Sequence, residues 1–401
     1  MKQIVKLAWR NLWRNKRRTF ITLISVLMAV ILAIGLRSVQ KGAYENMISN
    51  AVRFSTGYLQ IHTKGYWEDK SINNAFMPDE NLNQLIGNNT NVSLAVPRLE
   101  SYALASSGPH TKGVEVVGID PAQENKMNGL ANKITEGSYL KINDRGILIG
   151  DGLAKYLGLN KGDTIVLLGQ GYHGITAAGQ FRIQGIFHYP VEQMNNNIVF
   201  LSLPEAGNLF GAPGMVTSIS MMLHHPERLD NTVHSIRSLL HGNMEVMEWQ
   251  KMNKTLLQEI KGDNSGGIIM IGILYVVVAF GVFGTILMMT MERKKEFSVM
   301  IAIGMRRLKL MMIVFIETFF LGCLGIFSGI ILILPVVIYF HNHPIPLTGS
   351  AAAVYQQFGI EAVIPASLNP SIFLYQGITV LCIALASALY PLWYVGRFPI
   401  L

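Results

Sequence analysis

Four stretches of this chain are long and apolar, and polar residues fill the intervals between them. Thr19 to Leu36 runs eighteen residues without a charged side chain and Gly267 to Thr290 runs twenty-four, while Leu310 to Phe340 carries one acid, Glu317, and Ile372 to about Val395 carries no charge. A helix rises about 1.5 Å per residue, so eighteen residues cover about 27 Å, close to the roughly 30 Å of a bilayer core. The pattern predicts four transmembrane helices, at 19–37, 265–290, 310–340 and 371–396. The third is long enough to span with tilt or to end in a short extension at Pro335. Residues 1–18 interleave seven Lys and Arg with Ile4, Val5, Leu7, Trp9, Leu12 and Trp13, a basic amphipathic helix suited to a membrane interface. A cleaved signal peptide shares that basic start, but the apolar run is long for one and no small-x-small cleavage site follows it.

Between the first two spans, 38–264, the pattern changes to that of a folded water-facing domain. Gly57–His62, Val114–Ile119, Asp163–Leu168, Phe181–Phe187 and Asn197–Leu203 alternate or are rich in β-branched residues and predict strands. Asp79–Ile86, Gly150–Leu159, Leu203–Leu209 and Pro226–Leu240 predict helices, which makes an α+β domain. The flanks Val39–Ser55 and Glu245–Ile260 keep a helical period and predict stalks that extend the membrane helices. Composition agrees with a membrane protein: 50% of the 401 residues are hydrophobic and 14% are charged, against about 25% in soluble proteins.

Charge placement sets orientation. Seven Lys and Arg lie in 1–18, six in 291–309 and none in the 341–370 loop, which puts the first two segments and the 397–401 terminus in the cytoplasm and the large domain outside. The net charge of +8 is explained by these flanks, so nucleic acid is not an expected partner. Cys323 and Cys382, the two cysteines, both fall in apolar runs and offer neither a disulfide framework nor a metal site. Two histidine pairs, His224–His225 and His341–His343, lack the converging ligands that zinc needs. Gly169–Gly174 matches G-x-G-x-x-G, yet another strand follows within a few residues, so a hairpin loop is expected rather than a dinucleotide site. The sequons at Asn88, Asn91 and Asn253 matter only in a eukaryotic secretory setting. No Walker motif and no catalytic constellation occur, so the chain is expected to be a non-catalytic subunit without cofactors of its own.

Glu317 lies about two turns into the third span, where an ionised carboxylate costs roughly 2.5 kcal/mol or more and must face helices or water. With no intramembrane basic partner evident in the sequence, a structural or coupling role is expected over ion transport. Gly322, Gly325 and Gly329 let helix backbones approach closely, at a dimer or an intrasubunit interface.

Several strings resemble the MacB, FtsX and Lol lipoprotein-release group of ABC transporter permeases. Ile147–Leu168, ILIGDGLAKYLGLNKGDTIVLL, continuing to FRIQGIFH, resembles the MacB-type periplasmic core domain; ERKKEFSVMIAIGMRR resembles the family's cytoplasmic connection, 291–309. Glu317 falls where relatives carry a glutamate, and Tyr390, Pro391, Trp393 and Pro399 match the terminal motif. The resemblance implies a coupling site at Glu292, Arg293, Glu296, Ala302 and Gly304, with Gly304 as a turn. It also implies a cytoplasmic ABC ATPase dimer that binds ATP, a second permease copy or paralogue, and mechanotransmission through the stalks. Gly57–His62 resembles the lipoprotein-release branch, which implies lipoprotein or other amphiphilic cargo, a periplasmic chaperone or adaptor, membrane lipids as partners and a bacterial inner-membrane location. Export of an antibiotic or peptide, and control of a cell-wall hydrolase, are the alternatives within the same architecture.

Overall fold

A computed structural model describes residues 2–14, 16–189, 192–240, 242–350, 352, 355 and 362–396. Glu361, Arg397, Pro399 and the 397–401 terminus lie outside them. The chain forms two units, one of residues 1–45, 259–346 and 363–401, the other of residues 46–258 and 347–362.

The first unit holds the spans. Among the described residues, four helices are long and apolar enough to cross a membrane: Lys16–Ala51, Lys254–Glu292, Arg307–Asn342 and Pro370–Gly396 (spans 1 to 4). Span 3 continues through Pro335 instead of stopping there. Its glycines lie at intrasubunit contacts and face two neighbours. A methyl group on Gly325 would meet Val26 Cγ1 at 2.7 Å, one on Gly329 would meet Val30 Cβ at 2.9 Å, and one on Gly322 would meet Leu381 Cδ1 at 2.8 Å. Gly325 and Gly329 therefore seat span 1, and Gly322 seats span 4, by removing the side chain that would hold the helices apart. Span 2 is the least buried of the four and exposes Ile269, Val277 and Phe280. It is tied to span 1 at its outer end, where Arg37 Nη1 donates to Asn264 Oδ1 at 3.0 Å and Tyr44 Oη donates to Asp263 Oδ2 at 2.5 Å.

The second unit is built on ten strands: β1 Leu59–Thr63, β2 Val92–Ser107, β3 His110–Ile119, β4 Ile134–Gly137, β5 Ile147–Gly150, β6 Thr164–Gln170, β7 Thr176–Phe187, β8 Ile198–Ser202, β9 Ser218–Leu223 and β10 Met244–Glu248. They form one mixed sheet in the order β10-β1-β9-β2-β3-β8-β5-β7-β4, with β6 pairing both β2 and β7. The pairs β3–β8 and β5–β7 are parallel. The predicted helices are present, at Glu80–Gly87, Asp151–Leu157, Leu203–Phe210 and Leu229–Leu239; Asp79 caps the first by accepting from Leu82 N at 2.8 Å. The G-x-G-x-x-G string turns from β6 to β7 through a single short turn at Tyr172–Gly174, so it is a hairpin.

One expectation is corrected. Glu245–Ile260 is not one helix: Met244–Glu248 is an edge strand paired antiparallel to β1, and helix begins at Trp249. The sequence MEVME alternates, and a strand edge was available to pair with, so the two-residue period prevailed over the helical one. The stalk on the other side stays helical but changes type, from α-helix through Ala51 to a π-helical turn at Val52–Thr56.

Candidate coupling site

Arg293 is where span 2 ends. Its backbone (φ −90°, ψ 10°) separates the span 2 helix from a short helix, Lys294–Ala302, so the chain bends there and the side chain turns inward. The guanidinium is almost wholly buried; Nη1 donates to Glu317 Oε2 at 2.5 Å, and Nε donates to Glu296 Oε2 at 3.4 Å. The guanidinium also lies 5.2 Å from the centre of the buried Phe297 ring. Glu317, buried in turn, accepts at its other oxygen from Asn11 Nδ2 at 2.7 Å. Glu296 is half-exposed and pairs with the exposed Arg14.

These contacts form one chain of charge and hydrogen bonds that runs Asn11, Glu317, Arg293, Glu296, Arg14. It starts and ends on the amphipathic helix Lys2–Arg14 and passes through span 3 and the short helix. The expectation of a carboxylate without an intramembrane partner is thereby corrected. Glu317 has one, supplied from a position 24 residues earlier in the chain. The physical logic is that a buried carboxylate in apolar surroundings needs both a counter-charge and hydrogen bonds to its remaining lone pairs, and Arg293 and Asn11 supply them.

The five residues grouped by resemblance separate in space. Arg293 is buried, Glu296 is half-exposed within the ionic chain, and Glu292, Ala302 and Gly304 are exposed. Gly304 has φ +99°, and the bonds Gly304 N to Ile301 O (2.9 Å) and Met305 N to Met300 O (3.0 Å) close a Schellman ending of the short helix. A left-handed residue is required at that position, which explains the glycine. On either side of it the chain displays exposed apolar side chains: Val299 and Ile303, which is 82% exposed, before it and Leu308 after it. Arg306 and Lys309 stand beside them, exposed. Sequence reading missed Ile303, Val299, Asn11 and Arg14. The first two were recoverable from the amphipathic spacing of the short helix; the last two were not, because their partners lie hundreds of residues away. Among the described residues no cluster of three or more His, Cys, Asp or Glu side chains is arranged to hold a metal ion.

The model of the MacB-like periplasmic core domain matches residues 19–239 and that of the FtsX-like permease C-terminal region matches residues 268–400. The chain belongs to the MacB/FtsX-like family of ABC transporter permeases. It is a multi-pass membrane protein with an extracellular domain between its first and second spans. The lipoprotein-releasing system transmembrane protein LolC of Xylella fastidiosa (strain 9a5c) is 25% identical over 249 residues, an alignment covering 60% of this chain and 59% of that one. LolC of Neisseria meningitidis serogroup B is 21% identical over 336 residues, covering 79% and 77%. The periplasmic region of MacB from Actinobacillus actinomycetemcomitans is similar at 14% identity, over 49% of this chain and 91% of that one, with a TM-score of 0.36.

Proposed function

We propose that this chain is the permease subunit of an ABC transporter that releases lipoproteins from a bacterial inner membrane, powered by a separate cytoplasmic ATPase. The observation that carries the proposal is the coupling segment. An exposed apolar tip at Val299, Ile303 and Leu308, flanked by cations, is offered to a partner, while the base of the same segment is fastened to span 3 by the buried Arg293–Glu317 pair. Force applied at the tip reaches span 3 and the amphipathic helix through charged contacts rather than through a loose linker. The helix Lys16–Ala51 continues without interruption toward the ectodomain, which suits mechanotransmission. A second permease subunit, identical or paralogous, completes the transporter in this reading, and lipoprotein cargo is favoured by the two relatives named LolC.

The test is reconstitution of the chain with a cytoplasmic ABC ATPase subunit. Wild type stimulates ATP hydrolysis; Ile303→Glu and charge reversal at Glu292 or Glu296 insert normally but lose that stimulation. Undiminished stimulation in all three variants would refute the assigned contact. Depleting the chain tests the cargo separately. Lipoproteins retained in the inner membrane support it, whereas normal sorting with altered drug susceptibility assigns the permease to another amphiphile.

A further inference from the structure

The amphipathic helix Lys2–Arg14 presents its residues in stripes four apart, and adjacent stripes differ in kind. Ala8 and Leu12 are buried against the membrane unit, with Ile4 partly so. One residue further on, Val5, Trp9 and Trp13 form an exposed apolar stripe, with Trp9 meeting Phe320 of span 3 edge-on at 5.6 Å. One further again, Lys6, Arg10 and Arg14 form an exposed cationic stripe. Each step turns the helix by about 100°, so the apolar stripe adjoins the buried face and the cations lie beyond it. No acidic residue occurs before Glu45, so nothing on this helix neutralises the stripe.

We propose that Lys6, Arg10 and Arg14 form a docking site for the anionic phospholipid surface of the cytoplasmic leaflet, and that lipid phosphate competes with Glu296 for Arg14. An apolar tryptophan stripe beside a cationic one places the first in acyl chains and the second among headgroups. Arg14 is the shared element. Its pair with Glu296 is solvent-exposed on both sides, and such pairs are weak enough for another anion to displace. Anionic lipid then releases Glu296 from Arg14, leaving it the bond from Arg293 Nε, and the short helix Lys294–Ala302 loses that tie to the amphipathic helix. Surface charge of the membrane thereby sets how tightly the coupling segment is held. The consequence for ATPase stimulation rests on the function proposed above; the lipid site and the release of Glu296 do not.

The experiment places the full chain, in a Trp393→Phe background, in nanodiscs containing equal small amounts of brominated phosphatidylglycerol or brominated phosphatidylcholine. Quenching of Trp9 and Trp13 reports which lipid gathers at the helix. Wild type is expected to be quenched more by the brominated phosphatidylglycerol. K6Q/R10Q should weaken that preference about 25-fold, from about fivefold per cation removed, and K6R/R10K should retain it, which separates loss of charge from loss of fold. Hydrogen exchange in Lys294–Ala302 should quicken with phosphatidylglycerol in wild type and be insensitive to it in Arg14→Gln. Equal quenching by both lipids would overturn the proposal. So would the same exchange response to inorganic phosphate in phosphatidylcholine discs, which would make the ligand a free anion. Loss of ATPase co-purification in K6Q/R10Q with lipid preference unchanged would assign the stripe to a protein partner instead.

Discussion

Among the described residues, Arg98 and Arg293 are the buried arginines paired with glutamates, one in each unit, and the two pairs are finished differently. In the ectodomain, Arg98 holds Glu124 with two parallel bonds, Nε to Oε2 at 3.0 Å and Nη2 to Oε1 at 2.6 Å, and its Nη1 donates to the carbonyl of Ser55 in the π-helical turn. Glu124 Oε1 also accepts from Asn128 at 2.5 Å. Burial alone would lower the Arg98 pKa, but the charges of Glu124 and Glu100 more than offset it, and the guanidinium stays charged well above its ordinary range. In the membrane unit, Arg293 meets Glu317 through one nitrogen and gives another to Glu296, which leads out to Arg14 at the surface. The first pair is closed and saturated; the second is open at one end. A closed pair fixes a joint, here the entry of the stalk into the sheet. An open chain joins a buried charge to whatever happens at the surface.

Removing one partner of the closed pair has the largest expected effect. Glu124→Leu strands a fully buried guanidinium and should destabilise the ectodomain by about 3–5 kcal/mol, read by chemical denaturation of the full chain in detergent. Arg98→Met combined with Glu124→Leu should recover part of that loss, because the stranded guanidinium is gone, although the buried Glu100 carboxylate, 4.0 Å from Arg98, loses its counter-charge. A double variant as unstable as the single one would show that the joint needs its ions.

The same double replacement at the open pair separates stability from transmission. Arg293→Met with Glu317→Leu should restore folding relative to either single variant, since no unpaired charge remains in the membrane. ATPase stimulation by the partner subunit should nevertheless stay at least about fivefold lower, within the usual range of coupling between sites. Recovery of stimulation along with stability would make the two pairs alike and reduce the membrane pair to packing.

A smaller effect comes from the helices that frame the open pair. Gly325→Val places a branched side chain where a single methyl already comes within 2.7 Å of Val26 and 3.4 Å of the Leu23 carbonyl, and should cost about 1–3 kcal/mol by overpacking spans 1 and 3. Gly304→Ala, at a left-handed position with open space around it, should cost about 1 kcal/mol through backbone strain alone and leave the spans untouched. Thermal unfolding of the two variants in parallel distinguishes packing from turn geometry.

How much of this was legible follows from range along the chain. The four spans, the β6–β7 hairpin and the glycines of span 3 are local patterns, each decided by residues within about one element of one another, and sequence reading placed them. The sixteen-residue β2 was not read, because Val92–Ser107 carries Pro97 and because Arg98–Ser101 is buried on both faces, with the charged Arg98 and Glu100 on one and Leu99 and Ser101 on the other. Alternation fails as a signal when both faces are covered. The ionic chain at Arg293 was half legible. Arg293, Glu296 and Glu317 drew notice as charges in an apolar setting, but Asn11 and Arg14 lie 306 and 282 residues from their partners, and only the fold brings them there.

The smallest expected effect concerns a carboxylate that neither pair satisfies. Glu115 lies on β3 opposite Tyr102, facing Glu100 on β2, and its pKa is raised, first by burial and then by the Glu100 charge, with Lys70 and Arg98 opposing. A carboxyl whose folded pKa exceeds its unfolded one binds more protons in the folded state. Its contribution to stability is therefore greatest at low pH and is lost as pH rises from the ordinary glutamate range through the raised value. Glu115→Gln removes the ionisation, so the difference in unfolding free energy between this variant and wild type should grow in the variant's favour across that window and be flat above it. Denaturant titrations of the full chain at a series of pH values measure the difference. A constant difference would mean that Arg98 and Lys70 already balance Glu115, and the ectodomain's ionic cluster would then be closed at every charge, in sharper contrast to the open chain at Arg293.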